Sequence, residues 1–97
     1  REPLTRQQAR LIILKALAAQ VDETLNSDLL LLELRPFGIR KTRAWVHQEL
    51  DWLAEMGAVT AMRAGSVLVA TLTDAGRRHL DREIAIESVQ RPSRPGG

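Results

Sequence analysis

Residues 42–57 read Thr42-Arg43-Ala44-Trp45-Val46-His47-Gln48-Glu49-Leu50-Asp51-Trp52-Leu53-Ala54-Glu55-Met56-Gly57, and their spacing sets the expected fold. Val46, Leu50 and Leu53 recur at steps of four and three, which puts them on one face of a helix, the face that must be buried. Thr42 is a natural N-cap, and Gly57 is the natural stop. Opposite the apolar stripe lie Ala44, Gln48, Asp51 and Glu55, with Arg43 and His47 on one flank and Trp45 and Trp52 on the other. A helix clamped in this way keeps an outward polar face, accessible at its N-terminal half.

Upstream, Thr5 followed by Gln8 is a capping-box pattern, so a first helix is expected from Arg6 to about Gln20. Ala9, Ile12, Ile13, Ala16 and Leu17 give it one packed face. The periodicity breaks at Asp22-Glu23-Thr24-Leu25-Asn26, where Leu25 is expected to anchor the link to the core. Asn26 or Ser27 can cap a short second helix through Leu29, Leu30, Leu31, Leu32 and Leu34, stopping at Pro36-Phe37-Gly38. So many leucines cannot all face one small core. At least one of Leu31 and Leu32 is therefore expected on the surface or in a dimer contact.

Downstream, Ala58–Arg63 and Val67–Leu72 are β-rich runs around Ala64-Gly65-Ser66, the pattern of a hairpin. Thr73 caps a last amphipathic helix, expected to reach about Ile86. The domain is expected over 1–88, followed over 89–97 by a flexible basic Pro/Gly tail. The expected class is mainly α with a small β-hairpin: a three-helix core, a two-stranded wing and a C-terminal helix.

Composition narrows the function classes. Apolar residues make up 44% of the chain and charged residues 27%, the balance of an ordinary globular domain. The chain has no cysteine, which removes disulfides and thiolate metal sites. No apolar run approaches the length that spans a bilayer, and no leader pattern opens the chain, so a cytoplasmic protein without membrane contact is expected. With His47 and His79 the only histidines, no metal or other cofactor is expected. No Gly-rich phosphate loop, catalytic triad or paired-carboxylate spacing is present, so an enzyme is not expected.

The net charge of +2 says little; the placement of charge says more. Arg35, Arg40, Lys41 and Arg43 fall close together with no acid among them, which can prepare one face for phosphate. Three helices with a short polar turn before the third, then a hairpin, is the winged helix-turn-helix order, in which the third helix enters a DNA major groove. The candidate DNA contacts are then Arg40, Lys41, Thr42, Arg43, Ala44, His47 and Gln48. Arg43 suits guanine O6/N7, Gln48 suits adenine N6/N7, and Arg40 and Lys41 suit phosphates. Arg63, Gly65 and Ser66 would add contacts from the wing tip. A solvated basic turn is the competing reading of the same residues, and the DNA-contacting one is preferred. Asp51 and Glu55 would face phosphates unfavourably, so contact should stop near Gln48.

Glu49–Val59, followed by Val67–Leu72 and Thr73-Asp74-Ala75-Gly76, resembles winged-helix regulators in general. It is most similar to small winged-helix proteins encoded by Mu-like prophages. The likeness extends over residues 9–92, including Leu25-Asn26, Phe37-Gly38 and Arg91-Pro92. The resemblance implies a DNA-binding fold and supplies no target. Two functions follow as expectations: a homodimeric double-stranded-DNA-binding protein, as transcriptional regulator or phage accessory factor, or a winged-helix interaction module of phage assembly that touches no DNA.

Overall fold

A computed structural model describes residues 3–94. The element order is α1 (Leu4–Ala18), β1 (Thr24–Asn26), α2 (Ser27–Leu34), a 3-10 turn (Arg35–Phe37), α3 (Arg43–Glu55), β2 (Val59–Ala64), β3 (Val67–Leu72) and α4 (Asp74–Leu80). The antiparallel sheet has the order β1-β3-β2.

Helix α1 begins earlier than its capping pattern predicts. Pro3 stands at the N-cap, with φ −58° and ψ 144°, and no side chain caps the helix. The Pro3 carbonyl accepts from the N–H groups of Arg6 and Gln7 at 3.1 and 3.2 Å, so Thr5 lies inside the first turn and the Thr5–Gln8 box does not form. Proline already holds a helix-compatible φ and has no N–H to lose there, which lets the helix start around it. The helix also ends at Ala18 rather than Gln20. Its burial is not confined to one face: Ala9 through Leu14 are all buried, as are Ala16 and Leu17. α1 is the central rod, touched by α2, α3, α4, β1 and β3.

The segment expected to be a plain link contains a strand. Glu23 adopts φ 57°, and Thr24–Asn26 then pairs with β3, Thr24 opposite Thr71 and Asn26 opposite Val69. The two-stranded wing thus becomes part of a three-stranded sheet. Three residues are too few for an alternating pattern to register, and the partner lies far along the chain. Asn26 ends the strand and caps α2 by accepting from the Leu29 N–H at 2.9 Å. Leu30 and Leu34 are buried and Leu31 partly so, while Leu29 and Leu32 are exposed, so the surplus of leucines does reach the surface. Gly38, at φ 77°, stops the 3-10 turn after Pro36.

Val46, Leu50 and Leu53 are fully buried, as the α3 spacing requires. Glu49 on the same helix is buried as well, and the wheel gave no sign of it. Along β3, Leu68, Ala70 and Leu72 alternate into the core, and the hairpin closes at Gly65 with φ 62°.

Helix α4 stops at Leu80, short of the expected Ile86. The reason is His79, which is fully buried. Its Nδ1 accepts the Ile86 N–H at 3.0 Å, so Nε2 carries the hydrogen and donates to the Gln90 carbonyl at 2.9 Å. The chain therefore turns at Arg82, φ 62°, and wraps around the imidazole. The Gln90 N–H then donates to the Gln7 carbonyl at 3.1 Å, Arg82 donates to the Pro92 carbonyl, and Val89 and Pro92 are buried. The boundary of the expected tail at residue 89 thus moves: residues 89–92 are a strap on α1. Of the rest of that expectation, Ser93 and Arg94 are exposed, and residues 95–97 lie outside the described residues.

Candidate nucleic-acid interface

The candidate face is built by the clamp on α3. Thr42, at φ −92° and ψ 164°, caps the helix by accepting from the Trp45 N–H at 3.1 Å. One lone pair of the Thr42 hydroxyl is thereby engaged in capping, so this expected contact residue also has a structural role. With the stripe buried, Arg43, Ala44, Gln48, Asp51 and Glu55 are exposed. Arg40 and Lys41 are exposed in the turn before the helix, as are Arg63, Gly65 and Ser66 at the hairpin tip. His47 alone among the expected contacts is half-buried. No segment of the described chain covers this surface.

Two expected contacts are engaged by the protein itself. Arg43 donates from Nε to Asp28 Oδ1 at 2.8 Å and from Nη2 to Asp28 Oδ2 at 3.0 Å. His47 Nε2 lies 2.8 Å from Ser27 Oγ, and that hydroxyl oxygen also accepts the Leu68 N–H at 3.1 Å. Ser27 is fully buried, so it joins α2, α3 and the hairpin at one point. Leu68 is paired across the hairpin with Arg63, which ties the rung that carries that arginine to the flank that carries His47. Sequence reasoning missed Ser27 and Asp28. The signal lay in a polar pair opening α2 and in Arg43 and His47 sharing one flank of α3, yet a wheel of one helix does not show what another helix brings to it.

Along the outer side of α3 the charge changes sign. Arg40, Lys41 and Arg43 crowd its start, and Asp51 and Glu55 occupy its far half. Lys41 lies 5.5 Å from the Trp45 ring, with Arg6 at 5.7 Å from the same ring. The two tryptophans are therefore packing partners for cations: Arg10 stacks on Trp52 at 3.7 Å.

The hydrogen bond from Arg43, more than its charge, holds the Asp28 carboxyl below its ordinary value of 3.8, and His47 adds a smaller pull. Asp28 raises the pKa of Arg43 by the same bond. A carboxyl with a depressed pKa contributes stability above its ordinary value and loses it as the pH falls through the lowered one. In a carboxyl carbon NMR titration Asp28 is expected to protonate below 3.8. A midpoint at or above that value means the pair does not form in solution.

A cleft of about 360 Å³ lies elsewhere, lined by Gln8, Leu11, Ile12, Lys15, Phe37 and Arg91, among others. It contains no residue of α3 or the hairpin, so it is separate from the candidate face. Among the described residues no group of three His, Asp or Glu side chains is placed to hold a metal, and no helix is long and apolar enough to cross a membrane.

No family model and no curated protein matches the chain. The functional reading therefore rests on this geometry.

Proposed function

We propose that the chain is a winged helix-turn-helix protein that binds double-stranded DNA, with the N-terminal half of α3 in the major groove and the β2–β3 hairpin as the wing. The order helix, strand, helix, helix, hairpin supports the fold assignment, since β1 completes a sheet that such a wing grows from. One observation carries the function: Arg43, Ala44 and Gln48 project from a helix whose opposite face is fully buried, directly after the exposed Arg40 and Lys41. A helix fits the major groove in width, and base contacts come from its first turns. Arg40 and Lys41 meet phosphates beside the groove, Gln48 reaches a base edge, and the acidic Asp51 and Glu55 end the contact. Service as a transcriptional regulator or phage accessory factor, as a homodimer reading two half-sites about 34 Å apart, follows from the same assignment.

The test is fluorescence anisotropy with duplex DNA across a salt series. Log affinity is expected to fall linearly with log salt, at about −0.9 per phosphate neutralised. The double replacement Lys41→Ala with Arg43→Ala should lower affinity by at least about ten-fold and flatten that slope by about one to two units. Binding indifferent to salt, or none at low salt, contradicts the proposal.

A second reading has its own observation. Leu29, Leu32 and Phe37 are exposed on α2 and the turn after it, at 44, 52 and 58%, an apolar surface suited to protein contact. In this reading the domain assembles with itself or with other phage proteins and does not touch DNA. Sedimentation beside the DNA titration separates the two: unchanged mass with lost DNA affinity in the Lys41→Ala, Arg43→Ala protein favours DNA binding, and a wild-type protein that self-associates but binds no duplex at low salt favours the interaction module.

A further inference from the structure

Arg43 is held side-on. Asp28 takes its Nε–H and one Nη2–H through both carboxylate oxygens, the two-toothed geometry that fixes a guanidinium plane. The donors that remain are those of Nη1 and the second hydrogen of Nη2. One from each nitrogen points straight out from the end of the side chain, parallel and spaced for the acceptor pair of guanine, O6 and N7. The carboxylate thus leaves unoccupied the edge of Arg43 that reads a base.

The residues on either side of Asp28 are tied into the fold. Asn26 caps the same turn of α2, and the neighbouring Ser27 is fully buried, bonded to β3 and to His47. Consecutive residues of α2 therefore hold Arg43 and His47, one turn apart on a single flank of α3. A free arginine side chain samples many rotamers and loses that freedom on binding; one already fixed in plane loses less.

We propose that Asp28 is the positioning residue that sets the base preference of α3, orienting Arg43 so that its end-on N–H pair reads a guanine in the major groove. This rests on the DNA-binding reading above and adds to it the base and the residue that selects it. The carboxylate has two opposed effects. It repels the phosphate backbone, lowering affinity for every sequence, and it sharpens the choice of one base. A residue of purely structural importance would not separate these two quantities.

The experiment uses the full chain. Selection from a random duplex pool yields the preferred site, and affinities are then measured for that duplex, for one with adenine replacing the read guanine, and for one with 7-deazaguanine, which lacks N7. Wild-type protein is expected to prefer guanine over both replacements by about ten-fold or more. Asp28→Asn and Asp28→Ala should lose most of that preference while binding random-sequence DNA as tightly as wild type or tighter. Asp28→Glu should recover part of the preference, and Arg43→Lys, which lacks the fork, should lose it. Three results overturn the proposal: preference retained in Asp28→Ala, affinity for all duplexes falling together in the Asp28 variants, or wild-type indifference to 7-deazaguanine. Each of these occurs with DNA binding intact, so the broader reading survives them. Failure of wild type to bind any duplex at low salt overturns both.

Discussion

Replacing Glu49 by alanine is expected to destabilise the protein by about 3–5 kcal/mol, because it leaves a buried cation without its counter-charge. Glu49 Oε1 accepts from Arg10 Nε at 2.6 Å, and both side chains are 1% exposed. Arg10 also donates from Nη1 to the Ser88 carbonyl at 2.9 Å and stacks on Trp52 at 3.7 Å. It thereby ties α1 to α3 and to the strap after α4. The second oxygen, Oε2, accepts from Arg6 at 3.0 Å, but Arg6 is 37% exposed, so that contact adds little.

A domain of this size is stable by about 5–15 kcal/mol in all, so the loss is a large fraction of the whole. At about 4–8 °C per kcal/mol, the melting temperature should fall by roughly 12–40 °C. Urea unfolding followed by tryptophan fluorescence, to which Trp45 and Trp52 both contribute, measures it directly. Replacing both partners, Glu49→Leu with Arg10→Met, should be much milder than Glu49→Ala, since no charge is then stranded. A loss under about 1 kcal/mol for Glu49→Ala would show that Arg10 finds water in solution, contrary to the burial described.

Gly76→Ala is expected to destabilise by about 1–3 kcal/mol or more, although helix propensity alone predicts a gain of up to about 1 kcal/mol. Steric contact decides the sign. A Cβ on Gly76 would lie 2.3 Å from the Ala58 carbonyl oxygen and 2.7 Å from Leu72 Cδ1. That carbonyl is backbone, and it already accepts the Thr73 N–H at 3.1 Å, so it cannot swing aside as a flexible side chain can. To admit a methyl group α4 must move off the root of the hairpin, loosening the contact that seats both. Thermal unfolding by circular dichroism tests this; an unchanged or raised melting temperature would refute the close approach. The hairpin followed by Leu72-Thr73-Asp74-Ala75-Gly76 thereby acquires a physical reason: Thr73 caps the helix by accepting from the Gly76 N–H, and glycine admits the neighbouring strand.

How much was legible follows the range of the interaction concerned. Val46, Leu50 and Leu53 were readable as a stripe because helical periodicity is written within a few residues, and the caps at Asn26, Thr42 and Thr73 were readable for the same reason. The exposed Gln48 followed as the complement of that stripe, and Arg40, Lys41 and Arg63 from their places in a polar turn and a hairpin. Strand β1 was not legible, because Thr24–Asn26 becomes a strand only through β3. Nor was the end of α4: residues 81–86 carry an amphipathic pattern, but the buried imidazole of His79 recruits the Ile86 N–H and turns the chain away. Nothing in the spacing singled out Glu49 or Arg10, and only the meeting of α1 with α3 makes them an internal pair.

The sequence by itself therefore determined where α2, α3 and α4 start, though not α1, which residues of α3 face inward, and which charges lie near its first turn. These depend on local dihedral preference and spacing, which act over one or two turns. Only the tertiary structure decided that Asp28 would grip Arg43, that Ser27 would join the hairpin to His47, and that the last residues of the domain would strap α1. Each of those contacts joins residues distant in the chain, and its geometry exists only once the core has packed and brought them within hydrogen-bonding reach.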